Sequence, residues 1–134
     1  MTPSLVALCL FAGWTLLLVV SLALFRGAFS SSAGKALNTF SPDGTDVGGI
    51  GQRLTRAHLN CVETLPVVGA VILAAAVAGR SAVTDPLAMP LLYARLGQSA
   101  VHLLSTSVPM VLLRATLFVV QLAIVASWIF QLAL

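Results

Sequence analysis

The chain has 134 residues and a formal net charge of +3; 59% of the residues are hydrophobic and 8% are charged, and the mean hydropathy is +1.04. Soluble domains carry about a quarter charged residues, so this composition excludes a soluble globular domain and predicts an all-α integral membrane protein. The pI of about 9.5 would suit a nucleic-acid partner, but the basic residues are scattered along apolar helices with no basic patch or interleaved aromatics, which excludes one.

Taken in order, residues 1–134 read as one domain with four apolar spans, at about 5–25, 54–78, 87–105 and 110–132. The first, Leu5 to Phe25, has no charge and is long enough to cross a bilayer core of about 30 Å. Small residues follow it, as they would a signal peptide, but no positive charge precedes it and it exceeds a signal's apolar core. It is therefore read as a retained span. Arg26 to Gly51 is the long polar connection, with a turn at Ser41-Pro42-Asp43-Gly44. Gly48-Gly49-Ile50-Gly51 lacks the lysine and serine of a phosphate-binding loop and reads as a hinge at the entrance of the second helix.

That helix runs from about Gln52 to Ala78, with Pro66 inside it, and opens on the most informative stretch of the chain. Arg53, Arg56, Asn60 and Glu63 step by three, four and three, so they share one helical stripe, while His58 and Cys61 point elsewhere. Glu63 lies inside the apolar run. A carboxylate at that depth costs at least a few kcal/mol unless partnered, and Arg95 or Arg56 is the expected ion-pair partner, Arg95 being favoured. The third helix, Leu87 to about Ser105, repeats the pattern with Arg95, Gln98, His102 and Ser105. The fourth, from Met110, places Arg114 and Gln121 one above the other. Cys9 and Cys61 fall in different spans and read as small apolar fillers, and no Cys/His spacing suits a metal.

Arg26, Lys35, Arg53 and Arg56 cluster around the first connection. The positive-inside rule thus puts the first and third connections in the cytoplasm, both termini on the non-cytoplasmic side, and the polar stripes in the cytoplasmic half. Within the spans, Arg56, Arg95 and Arg114 face only Glu63. A surplus of arginines in a low-dielectric cleft calls for an anionic ligand or lipid headgroup, and the carboxylate for an ammonium. A small zwitterion with excess negative charge fits both.

Arg56-Ala57-His58-Leu59-Asn60-Cys61-Val62-Glu63-Thr64-Leu65-Pro66 resembles the Arg-Ala-x-x-Asn-x-x-Glu-x-x-Pro signature of the MAPEG family, membrane-associated proteins in eicosanoid and glutathione metabolism. Within that family the chain looks like a bacterial-type member similar to microsomal glutathione transferases. The resemblance implies a four-helix protomer assembling as a homotrimer, with glutathione as cosubstrate between adjacent protomers near the cytoplasmic side. By position, Arg56 resembles the arginine gripping a glutathione carboxylate, and Asn60 and Glu63 the pair receiving its polar and amino groups. His58 occupies a position where some members present a glutamine. Arg95 resembles the third-helix arginine, and Arg114 the fourth-helix arginine that stabilises the glutathione thiolate. Lys35 or Arg26 is the candidate basic contact from the loop, and Arg53 adds a further cation to the stripe. Gln98 and His102 stand where glutathione-using members often have tyrosines. Ala115 stands where prostaglandin-E-synthase-like members have a serine, so the resemblance does not extend to that isomerase activity.

The implied function is a membrane-bound transferase or peroxidase acting on small hydrophobic electrophiles from the lipid through a glutathione thiolate held by Arg114. Two rivals stand beside it: a non-catalytic lipid-binding scaffold of the same fold, and a small transporter or channel, which the lack of an internal repeat disfavours.

Overall fold

Helix α1 (Pro3–Ala33) starts where its N-cap, Thr2, accepts the Leu5 amide through its hydroxyl at 3.4 Å and Pro3 presets the first turn. The computed structural model describes residues 1–134 and contains three further α-helices, α2 (Gly49–Val77), α3 (Asp85–Leu104) and α4 (Val108–Ala133), and no strand. Single 3₁₀ turns at Leu37–Thr39 and Ser81–Val83 punctuate the first two connections. The architecture is an all-helical bundle in which α3 packs against α1, α2 and α4.

α1 runs eight residues past the expected end at Phe25. Its polar last turns are held by hydroxyl back-bonds, Ser31 to the Gly27 carbonyl at 3.1 Å and Ser32 to Phe29 at 3.4 Å. Gly34 then stops the helix with φ +69°, its N–H donating to the Ser30 carbonyl. At about 1.5 Å per residue α1 reaches some 46 Å, well beyond a 30 Å hydrocarbon core, so its end stands clear of the membrane. The connection shrinks accordingly to the residues between Gly34 and Gly49.

α1, α2 and α4 are each long and apolar enough to cross a membrane. α3 has 20 residues, enough for about 30 Å. It is less apolar because it carries Arg95, Gln98 and Ser99, which it turns inward, where all three are buried. The buried face of α1 repeats at Ser4, Ala7, Phe11, Thr15, Leu18 and Leu22, a seam wound like a coiled coil. The same core takes in Ala57, Cys61 and Ile72 of α2, Ala88 and Leu92 of α3, and Trp128 of α4. The small residues among them allow the helices a close approach, which is how packing is gained where lipid removes the hydrophobic driving force between helices.

The loop is built as firmly as the helices. Phe40 lies between the cations of Arg26 and Lys35, at 5.6 and 5.4 Å from the ring centre. Arg26 donates to the Ser41 carbonyl at 3.3 Å, and Lys35 pairs with Asp46 at 3.1 Å. At the opposite end of the bundle Arg80 donates to the Gln131 and Leu132 carbonyls at 2.7 and 2.9 Å, tying the turn after α2 to the last turn of α4.

Asp85, at the N-terminus of α3, accepts from the Ser4 hydroxyl and from the Ser4 amide at 3.0 Å. The Ser4 hydroxyl, more than any other contact, holds the Asp85 carboxyl below the usual carboxylate range. A depressed folded-state pKa contributes stability above the unfolded value, near 3.9, and loses it as pH falls through the folded value. Asp85→Asn is therefore expected to lower stability in detergent by on the order of 1 kcal/mol, about 3 °C in Tm, at pH 6. The gap from the parent protein should close as the pH falls through the depressed folded-state value, measured by thermal unfolding across pH.

Candidate functional site

The α2 stripe emerges at the surface of the bundle. Arg56 and Glu63 are exposed, Arg53 and Asn60 half-buried, and the stripe climbs from the loop end of α2 toward its middle. Over ten residues this is a rise of about 15 Å. α3 and α4 bring Arg95, Gln98, His102 and Arg114 to the same side, and the result is a groove made of connected hollows.

Nearest the loop is a hollow of about 220 Å³ lined by Gln52, Arg53, Arg56, His102, Thr106 and Arg114, with no apolar residue and no acid. Beside it lies an open hollow of about 300 Å³ bordered by Asp43, Arg56, Leu59, Asn60, Glu63 and His102. A third hollow of about 260 Å³ shares Asn60, His102 and Arg114 and adds Gln98, Ala115 and Phe118. Phe118 and Glu63 also border a further cavity of about 260 Å³, whose walls include Val67, Val68, Leu122 and Val125 as well as Arg95 and Gln121. Polarity therefore grades along the groove, from three arginines at the loop end, through a carboxylate region, to an apolar-walled recess.

The expected Glu63–Arg95 salt bridge does not form in the protomer. The only ion pair in the structure is Lys35–Asp46. Arg95 is 1% exposed, enclosed within the bundle, and Glu63 is turned outward. The Arg95 guanidinium instead donates to the side-chain oxygen of Asn60, one turn below Glu63, and lies over the Phe11 ring at 5.4 Å. Asn60 is thus committed on one side to orienting a buried cation.

Gln98 is also engaged internally, its side-chain oxygen accepting from the Gln121 amide at 3.0 Å. Lys35, expected as the loop contact, is spent on Asp46 and Phe40 and does not line the groove. His58 does not line it either: its position on α2 turns it away from the stripe, with Nδ1 buried and without a hydrogen-bond partner. Arg53, Arg56, Asn60, Glu63, Arg95, Gln98, His102 and Arg114 all border the hollows. Residues the sequence reading did not place in the site are Gln52, Thr106, Phe118, Gln121 and, from the loop, Asp43. Gln121 carried a signal, being two turns above Arg114; Asp43 carried only that of a turn. No group of three His, Cys, Asp or Glu side chains is placed to hold a metal.

The arrangement defines a helical integral membrane protein with a polar, arginine-rich groove leading into an apolar recess. Comparison with protein families matches residues 4–134 to the MAPEG family. The chain belongs to that family, whose members use glutathione and include glutathione transferases and peroxidases. Neither a search of curated proteins nor one of solved structures returned a match.

The hydrogen bonding orders the α2 residues by their structural weight. Asn60→Ala strips a buried cation of its side-chain acceptor and should destabilise by about 2 kcal/mol. Glu63→Gln, with no partner in the protomer, should cost clearly less, under about 0.5 kcal/mol, in detergent-solubilised protein. Thermal unfolding of the two variants checks the ranking; equal losses would contradict the assigned bonds.

Proposed function

We propose that the protein is a membrane-bound, glutathione-dependent transferase or peroxidase acting on small hydrophobic electrophiles that enter from the bilayer. The observation that carries this reading is the grading of the groove. Arg53, Arg56 and Arg114 form a carboxylate-binding end, Glu63 supplies a counter-charge for an ammonium, and the recess beyond Phe118 suits an apolar second substrate. A tripeptide with two carboxylates, one ammonium and a thiol matches that order.

Arg114 is the catalytic residue of this scheme. It borders two of the hollows, between the cation cluster and Phe118. A guanidinium keeps its charge at any accessible pH and, shielded from bulk water, favours an adjacent thiolate over the thiol. The thiolate sulfur attacks the electrophilic carbon and a carbon–sulfur bond forms. The leaving group departs with the electron pair or, at an activated alkene, the carbanion takes a proton from water. No general base is required of the protein, because arginine lowers the thiol pKa before the attack.

The exposed carboxylate also supports a homotrimer with glutathione held between protomers. Glu63 lies in an apolar span and has no cation within the protomer, and all four buried residues of α4 lie between Gln121 and Trp128, which leaves its first half open. A neighbouring copy would cover both. The basic residues around the first loop favour a groove facing the cytoplasm with both termini on the other side.

Two measurements test the proposal. Glutathione added to purified protein at neutral pH should raise thiolate absorbance in the ultraviolet. In Arg114→Ala the absorbance and the conjugation rate should fall together by at least tenfold, one pKa unit being about 1.4 kcal/mol, while glutathione still binds through Arg56 and Glu63. Near-normal thiolate in that variant would reduce Arg114 to a helix anchor, and no thiolate in the parent protein would favour a lipid-binding scaffold. Native mass spectrometry in mild detergent should show a trimer, and a stable monomer would refute that assembly.

A further inference from the structure

We infer that Asp43, on the loop between α1 and α2, is a specificity-determining residue that receives the ammonium of the ligand together with Glu63. The inference rests on the glutathione reading above and deepens it, since neither the helical pattern nor the family motif includes this residue.

The geometry begins with the turn. Gly44 is buried at φ +72°, and a Cβ there would fall 2.7 Å from the Thr55 hydroxyl and 3.2 Å from the Gln52 Cα. Only glycine allows the turn to lie this flat on α2. Gly51 makes the matching approach, where a Cβ would meet the Phe25 ring at 2.4 Å and Val47 at 2.8 Å. The Ser41 amide donates to Asp46 at 2.9 Å, and Asp46 is in turn paired with Lys35. The turn is thereby pressed against α2 one helical turn from Arg56, and Asp43 becomes a wall of the hollow that holds Arg56, Asn60, Glu63 and His102.

The electrostatics follow. One Asp43 oxygen accepts from the Ser41 and Thr45 hydroxyls and from the Thr45 amide at 3.1 Å. These bonds, the Ser41 hydroxyl first, hold its carboxyl down to about 2, so it is ionised throughout the physiological range. No hydrogen bond or ion pair engages the second oxygen. The hollow is therefore bordered by the Asp43 carboxylate, with one oxygen unengaged, on its loop side and by Glu63 on the side toward the middle of α2. An ammonium between them gains two charge-assisted contacts, and Arg56 and His102 on the remaining walls exclude a simple cation without its own carboxylate. The occupant this selects is an α-amino acid head, a carboxylate and an ammonium on one carbon.

The test pairs a protein change with a ligand change. Asp43→Asn keeps the oxygen that accepts from Ser41 and Thr45, so the turn persists and only the charge is lost. Binding to purified protein is measured by calorimetry with glutathione and with glutaryl-cysteinyl-glycine, which keeps both carboxylates and the thiol and lacks the amine. Asp43→Asn should weaken glutathione by about tenfold and leave the analogue unchanged, Asp43→Glu should recover part of the loss, and Asp46→Asn, which loosens the turn, should affect both ligands alike. Equal weakening of both ligands by Asp43→Asn, or of neither, overturns the assignment while the glutathione reading stands. If the parent protein binds neither ligand, the glutathione reading fails and this assignment with it.

Discussion

The guanidinium of Arg95 is enclosed by three helices at a depth where water is scarce and where it cannot shed its charge. Burying it is costly, and the surrounding sequence shows how the cost is offset. Asn60 from α2 turns a carbonyl oxygen toward it, Phe11 from α1 offers the negative face of its ring, and Cys61 and Ser99 fill the neighbouring contact at 3.6 Å. An arginine on one helix, an amide on a second and an aromatic on a third can be satisfied together only in one register. The interaction fixes the rotation of α2 relative to α3. It thereby decides that Arg56 and Glu63 look outward and that the groove opens where it does.

The groove's chemistry is a product of that rotation. With Asn60 spent inside, the residues one turn to either side are left to face a ligand, and they carry opposite charges. α3 and α4 add a cation at the loop end and nothing charged beyond Arg95 at the deep end. On the proposed function, a ligand would be oriented by charge along the groove, with its reactive part at the boundary between polar and apolar walls. In that reading the boundary is where a water-soluble thiol and a lipid-soluble electrophile would meet without either leaving its own phase.

The helices, the α2 stripe and the family were legible because their signals are periodic: three-and-four spacing survives whatever the tertiary structure does. The lost pieces were those that depend on partner choice. Arg95 and Glu63 have the right depth and sign for a pair, but sequence carries no information on which of two residues a turn apart points inward, and Asn60 took the inward place. α1 overran its expected end because apolarity marks where lipid begins, whereas helix length also depends on caps and hydroxyl back-bonds such as those of Ser31 and Ser32. Lys35 is basic and in the right loop, yet Asp46 is nearer. Asp43 was read only as a turn former, since its reach to the groove depends on Gly44 lying flat against Thr55.

The Arg80 clamp gives α4 a mechanical character. Arg80 grips the helix at Gln131 and Leu132, the four buried residues lie between Gln121 and Trp128, and the half beyond is largely uncovered. The helix is tied at its C-terminal end and largely uncovered toward its N-terminal one. Arg114 stands eighteen residues from the grip, a lever arm of about 27 Å, so a tilt of roughly 5° at the grip sweeps its guanidinium through about 2 Å. The spacing between Arg114 and the α2 stripe is thus set from the opposite end of the bundle, and on the proposed function bilayer thickness or lateral pressure acting there would tune the thiolate site.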